Sequence, residues 1–548
     1  MIWLPRAINS ATIPALKHNC AMSERVHITT AIFYCNGAPH VGSAYEALAA
    51  DTFSRALRRK LGQDRVTFLS GTDEHGDKIR RAALAQGLTP KTYTDQMSEV
   101  FRQAFAGLNV TAAARQDPAI DFWVRTTDPV HEAFVQEMLR RTYQRGDIYF
   151  RDYEGLYCVD CERFYTDKEL LPGNLCPSHN RPVELISEGN YFLKIEKYRE
   201  QVLAHLAANP NFIRPERYRN EALNMLAEPL TDLCISRPKA RLDWGIELPF
   251  DAKYVTYVWY DAFWAYVSEP ATRVGLDAFA REIWPHTEHF IGKDILKTHA
   301  VYWPPILLAA GLPLFRHLNV HGWLNFGGAR MSKSSGNVAD PVSYERAFGA
   351  DVLRYFVMRE VVYGLDGDFS EDRLIERYNA DLANDLGNLV SRVLSMAARY
   401  FNGELRAAPQ RVRAGAHDGV NWQNIEQLLS PVLDRVTGEL DFKRALDEVW
   451  AGLDAANKYI VTTAPFTLAR DPTRLDEVAQ ILANLLEAIR VIADALEPFM
   501  PVTSWKIFEL LNVHNAAARA PYGAGLKVGH TVRGPVALFP RIEKQEKA

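Results

Sequence analysis

Residues 27–62, HITTAIFYCNGAPHVGSAYEALAADTFSRALRRKLG, begin as a run rich in β-branched and aromatic residues, break at Asn36-Gly37, and continue as an Ala/Leu-rich segment ending in Arg55, Arg58, Arg59 and Lys60. That order reads strand, loop, helix: the first run suits a buried pleated strand, and the second suits a helix with cations near its C-terminal end. Residues 66–87, VTFLSGTDEHGDKIRRAALAQG, repeat the arrangement with a short apolar strand, a polar loop and another helix. Such alternation predicts an α/β fold, a doubly wound parallel sheet with its site at the strand ends, and it places His40 and Asp73 in one crevice.

From about Phe122 to Trp244 the pattern turns irregular, with many aromatic residues and the turn signals Pro172-Gly173 and Glu188-Gly189-Asn190. Strand and helix alternation resumes in KYVTYVWYDAFWAYV (253–267), HFIGKDILKTHAVYWPPILLAAG (289–311) and FRHLNVHGWLNF (315–326). An inserted connective domain is therefore expected to split one sheet into two segments. Beyond about Ser370 the period changes: Leu374, Tyr378, Leu382, Leu386, Leu389, Val390 and Val393 recur every three or four residues, as on the apolar stripe of a helix. Leu446, Val449, Trp450 and Leu453, then Val478, Leu482, Leu485, Ile489, Ile492 and Leu496, do the same and predict a C-terminal α-helical bundle. The expected division is 1–25 as a disordered extension, 26–121 and 247–345 as the two halves of the sheet domain, 122–246 as the connective domain, 346–370 as a linking region and 371–548 as the bundle.

At 548 residues, 47% apolar and 24% charged, the chain has room for about two to four domains. Its net charge of −4 means that a polyanion must be gripped by local basic patches. Uninterrupted apolar runs of about 18 residues are missing, so no membrane span is expected. The first 25 residues carry no acid before Glu24; they read as an extension ahead of a start at Met22, with a transit segment as the alternative.

The stretch YCVDCERFYTDKELLPGNLCPSHN (157–180) contains Cys158, Cys161, Cys176 and His179. Two close-spaced ligand pairs joined by a turn-rich segment suit one tetrahedral Zn2+. No acidic water-activating partner accompanies them, so the expected site is closed and structural. Oxidation would destroy such a knuckle, which points to a reducing compartment, the cytoplasm. Cys20, Cys35 and Cys234 read as ordinary small residues.

Two further motifs suit phosphate. In APHVGSAYE (38–46) a glycine lets an anion approach the backbone where a helix begins, and His40 stands where it can donate to a phosphoryl oxygen. ARMSKSSGN (329–337) places two cations and three hydroxyls in one loop, with Lys333 within reach of a triphosphate. Alone, each also fits an ordinary solvated turn; their order in a split α/β chain joins them.

Taken together, ITTAIFYCNGAPHVG, FLSGTDEHG, YVWYDAFWAY, HFIGKDILKTH, RMSKSSGN and NADLANDLGNLVSR resemble the motifs of class I aminoacyl-tRNA synthetases, and among these the methionyl-tRNA synthetase family in its bacterial branch with one zinc knuckle. The likeness runs from about Val26 to Ile542. It implies a Rossmann-like catalytic domain that joins methionine to tRNA(Met) by way of an adenylate, using ATP with Mg2+. By this resemblance His40, Lys333 and Arg330 stabilise the charge developing on the phosphates, while Gly42, Glu247, Gly292 and Asp294 hold the rest of ATP. Asp73 accepts the amino group of L-methionine. Ala31, Ile32, Tyr34, Trp259, Ala262, Tyr266, Ile295 and His299 line the thioether pocket, where sulfur and aromatic rings attract. Asn388, Arg392, Pro465 and Phe466 become anticodon readers, with Phe466 standing where many relatives have tryptophan. Ser43 replaces the second histidine of the family motif; its hydroxyl can donate one hydrogen bond but cannot carry imidazolium charge. A monomer is expected. The alternatives are another class I synthetase, charging cysteine, leucine or valine, and a catalytically idle RNA-binding relative.

Overall fold

Parallel strands β1 (Val26–Thr30), β2 (Phe33–Tyr34), β3 (Val66–Asp73), β4 (Asp121–Arg125), β5 (Ile213–Arg214), β6 (Thr287–Gly292) and β7 (His317–His321) build the central sheet of the computed structural model. The structure describes residues 25–543 apart from 115–116, 159–162, 166, 178–179, 331–337 and 411–422. The extension 1–24, Cys161, His179 and Lys333 thus lie outside the described residues. Across the sheet the order is β4, β3, β1, β6, β7, β5, with β2 continuing the line of β1 along β3. Strand order therefore reverses between β1 and β6, and ligands bind at such a switch point in open α/β sheets.

Between the pairs Thr29–Leu69 and Phe33–Thr72, the β1 side has one residue more than β3. On its other side the Ala31 N–H continues the parallel ladder to β6, donating to the Phe290 carbonyl at 2.9 Å. On the other side of β3, Gly71 lets β4 approach: a Cβ there would lie 1.9 Å from the Val124 carbonyl oxygen.

Apolar clusters cover the sheet. One runs from Val26 and Ile28 through Ala47, Leu48 and Phe53 of helix α1 (Val41–Leu61) into the bundle. The second packs Leu69, Val124, Ile291 and Val320 against Phe263, Trp264, Trp303 and Ile306. In the bundle, helices α2 (Asn388–Phe401), α3 (Phe442–Thr463) and α4 (Leu475–Leu496) bury the stripes expected of them. Arg59 of α1 pairs with Asp494, and Lys60 lies 2.5 Å from Asp434, so the basic end of α1 is fastened to the bundle.

The span read as a connective domain is interleaved with the main sheet. β4 begins at Asp121, at the edge of that span, and β5 lies inside it, where Ile213 pairs with Leu318. Between them the chain forms an antiparallel layer, Ile148–Cys158 against Glu184–Leu193, with Arg163–Tyr165 and Leu233–Cys234 at its edges.

Candidate active site

The carboxyl ends of β1, β3, β6 and β7 meet the N-terminus of α1. His40 caps that helix: its Nδ1 accepts the Ser43 N–H at 3.2 Å, while Ser43 Oγ accepts the His40 N–H at 3.0 Å and donates to the His40 carbonyl at 2.7 Å. With Nδ1 accepting, the proton of a neutral ring resides on Nε2. The Ser43 hydroxyl is thus engaged in a capping box, holding the backbone of His40. The first helical N–H, that of Val41, donates to the Ala339 carbonyl at 2.9 Å. Upstream, the Arg330 backbone pairs with Asn325 in a hairpin. The residues flanking 331–337 are therefore both anchored, Ala339 against the α1 mouth.

Near these strand ends lies an apolar cluster with a half-buried rim. Ala31, Ile32, Ala262 and Tyr266 are buried in one cluster, against which Tyr34, Trp259 and Ile295 pack half-buried. The Tyr266 hydroxyl is 2.9 Å from His299 Nε2, and Ile295 O accepts from His299 Nδ1 at 3.0 Å. The rings of Trp259 and His299 meet edge to face at 6.2 Å. Burial pushes His299 down to about 4, so it is neutral at physiological pH. Asp73 ends β3 beside Tyr34 of β2, and its carbonyl accepts the Cys35 N–H at 3.1 Å. Tyr34 thus packs against this cluster and pairs along the sheet with Asp73.

Sequence reasoning missed several polar groups around this mouth. Glu46, buried one helical turn into α1, accepts the Ala31 N–H at 2.8 Å and lies 3.1 Å from His321 Nε2. Burial opposes charge on His321, but Glu46 outweighs it and holds the imidazole above its ordinary pKa. Glu74 takes both Arg125 nitrogens at 2.7 Å, locking the turn after Asp73. Gly292 ends β6, where a Cβ would lie 2.6 Å from Asp294 Oδ1 and 3.6 Å from His321, so the strand end stays open only without a side chain. Glu46 closes the quoted motif APHVGSAYE, four residues after Gly42, but nothing local in the sequence marks its distant partner.

The family model described as tRNA synthetases class I (M) matches residues 26–183 and 174–394, and the anticodon binding domain of methionyl tRNA ligase matches 408–548. The chain belongs to the methionyl-tRNA synthetase family. It is 40% identical to the methionine–tRNA ligase of Caldanaerobacter subterraneus subsp. tengcongensis, over 96% of this chain and 80% of that one. Against the ligase of Deinococcus radiodurans identity is 42%, over 94% and 74%. The structure of Mycobacterium tuberculosis methionyl-tRNA synthetase in complex with methionyl-adenylate superposes with a TM-score of 0.86 at 37% identity, covering 94% of this chain and 100% of that chain.

Not every residue expected from the methionyl-tRNA synthetase family joins the mouth. Glu247 is exposed in a small antiparallel sheet, its carboxylate paired with Lys239 and its carbonyl accepting from Gln136 at 3.2 Å. These contacts hold it within the inserted span and give it no tie to α1. In the bundle, Asn388 is exposed, Arg392 half-buried one turn on, and Phe466 47% exposed beside buried Pro465.

At the knuckle, Cys158 and Cys176 are buried in one small cluster with Tyr165. The Asn180 N–H donates to the Cys176 carbonyl at 2.8 Å. Two thiols buried in one cluster fit half of a Zn2+ ligand set. Among the described residues no group of three or more His, Cys, Asp or Glu side chains is arranged to hold a metal.

Proposed function

We propose that this chain is a methionine–tRNA ligase: it activates methionine with ATP to methionyl-adenylate and pyrophosphate, then transfers the methionyl group to the 3′ end of tRNA(Met). The observation that carries this reading is the meeting of the capped α1 mouth, Ala339 and the apolar cluster beside Asp73 at one switch point of a parallel sheet, a cluster we read as the methionine recess.

In the first step the methionine carboxylate attacks the α-phosphorus of ATP and the bond to the β-phosphate oxygen breaks. A carboxylate is a competent nucleophile at neutral pH, so catalysis is positioning and charge neutralisation. Asp73 holds the ammonium group, and the Trp259 and Tyr266 rings with Ala31, Ile32 and Ala262 enclose the thioether. His40 donates from Nε2 to a phosphate oxygen, Gly42 and Gly292 let ATP lie close to the backbone, and Lys333 and Arg330 supply positive charge to the phosphates. Ser43 acts through His40, by fixing the cap. Mg2+ arrives with ATP and neutralises phosphate charge. In the second step a terminal ribose hydroxyl attacks the acyl carbon and AMP leaves.

Asn388, Arg392 and Phe466 read the anticodon by edge contacts and stacking. Cys158, Cys161, Cys176 and His179 would hold a structural Zn2+ that ties the knuckle together. The ligase acts as a monomer in the cytoplasm, where the cysteines of the knuckle stay reduced. Among the described residues no helix is long and apolar enough to cross a membrane.

The test is ATP–pyrophosphate exchange with methionine, cysteine, leucine or valine. Exchange with methionine alone is expected. Exchange with another of the four, or none at all while tRNA still binds, overturns the reading in favour of a different synthetase or an idle relative.

A further inference from the structure

His75 follows Asp73-Glu74 at the end of β3, and it is buried. Its Nδ1 lies 2.6 Å from Oδ2 of Asp261, on the helix Val258–Phe263. The other oxygen of Asp261 is 2.7 Å from His131 Nε2, and His131 Nδ1 is 3.1 Å from the Ser268 hydroxyl. All four residues are buried, Asp261 completely, so one carboxylate is clasped between two imidazoles from the first half of the chain. Trp244 closes the group: its ring meets His75 at 5.2 Å and its Nε1 donates to the Glu74 carbonyl at 2.6 Å.

This cluster spans the recess. Asp73 stands two residues before His75, while Trp259 and Ala262 flank Asp261 on its helix. The charged group facing His75 from its own turn is Glu74, already paired with Arg125; from the helix Pro129–Gln144 come Glu132 and His131, and from the helix of Asp261 that carboxylate itself. Burial opposes a charge on His75, but the Asp261 carboxylate outweighs it and holds the imidazolium above its ordinary pKa. Asp261 is correspondingly lowered: burial opposes its charge, and His75 outweighs burial.

We propose that His75 is a positioning residue for methionine. Through Asp261 it fastens the turn carrying the ammonium acceptor to the helix carrying the thioether wall, setting the span between Asp73 and Trp259. The claim rests on the reading of Asp73 and Trp259 as methionine-binding. An ordinary core pair would sustain stability throughout the domain; a tether across the pocket acts on one substrate.

The experiment measures exchange kinetics of the full chain for wild type, His75→Gln, Asp261→Asn and Asp73→Asn. For His75→Gln and Asp261→Asn the KM for methionine is expected to rise about ten-fold, as suits a sub-ångström to ångström displacement of a binding group, with KM for ATP and kcat within about two-fold. The ratio of methionine KM between His75→Gln and wild type should shrink at alkaline pH, where the wild-type imidazolium is itself lost. A methionine KM unchanged in His75→Gln, or rising in step with that for ATP, overturns the proposal. Should His75→Gln fail to fold, wild-type methionine KM against pH, set beside that of Asp261→Asn, decides: equal profiles overturn the tether. Asp73→Asn separates the two levels, since an unchanged methionine KM there refutes the pocket reading itself.

Discussion

Replacing Arg354 with methionine should loosen the junction between the catalytic sheet and the bundle. Arg354 is fully buried, with Nη2 2.8 Å from Asp51 Oδ2 on α1. It also donates to the carbonyls of Phe499 at 2.8 Å, Pro498 at 3.0 Å and Leu108 at 3.2 Å. Methionine fills most of the same space, so the loss is electrostatic more than a cavity. Breaking a buried pair costs about 3–5 kcal/mol when the surviving charge has no other partner. Asp51 keeps Arg55 at 2.7 Å and the Thr111 N–H and hydroxyl at 2.8 Å, which sets its share at the lower end. Carbonyls that lose a donor add roughly 1 kcal/mol each where water cannot reach them. A net loss of about 6 kcal/mol follows, large against the 5–15 kcal/mol typical of a folded domain. Urea unfolding followed by circular dichroism, with exchange measured at low temperature on the folded fraction, checks it. A loss under about 1 kcal/mol, or a first transition unchanged from wild type, would refute the view that this residue fastens the two parts.

Three other outcomes follow from the same structure. Glu288 is buried with His317, Arg214 and Asn319; burial opposes its charge, but these partners outweigh it and hold the carboxyl at about 2, as Arg55 and Arg354 do for Asp51. A depressed folded pKa contributes stability that is full above the unfolded value and lost as pH falls toward 2, so acid unfolding should remove about 2–3 kcal/mol per residue between roughly pH 4.5 and pH 2, and Glu288→Gln should flatten that slope. Gly292→Ala should raise the KM for ATP more than that for methionine, because the added methyl displaces Asp294 and crowds His321; equal effects on both would remove Gly292 from the nucleotide side. Asn388→Ala and Arg392→Ala should lower tRNA charging by about ten- to a hundred-fold with exchange intact, the size of losing one base-reading contact; a collapse of exchange would show that the bundle and the sheet do not divide the work.

The strand–loop–helix reading of residues 27–87 was legible because local periodicity and turn residues carry it, and the parallel sheet and helical bundle are as expected. The grouping of Trp259 and Tyr266 with Ala31 and Ile32 was legible only through resemblance, since nothing in their spacing separates a pocket from a core. What escaped has long-range causes. Two residues, Ile213 and Arg214, make a sheet strand through pairing with β7, too short a run to show a period. His75 and Asp261 are 186 residues apart, and Glu46 and His321 275 apart, so neither pair leaves a local signature. Ser43 read as a lost cation; in the fold its hydroxyl completes a cap, because a serine three residues after an N-cap can bond back to that residue's backbone. Glu247 matched a motif position, yet its exposed strand pairs it with Lys239.

The central claim, that His40 and Lys333 act on one triphosphate, is tested most directly by single-turnover methionyl-adenylate formation in His40→Ala and Lys333→Ala, alongside equilibrium methionine binding. Their contacts strengthen as phosphate charge develops, so adenylate formation should fall by at least about a hundred-fold in each variant while methionine affinity stays within about two-fold. Adenylate forming at the wild-type rate in either variant, or methionine affinity falling as far as the rate, would contradict it.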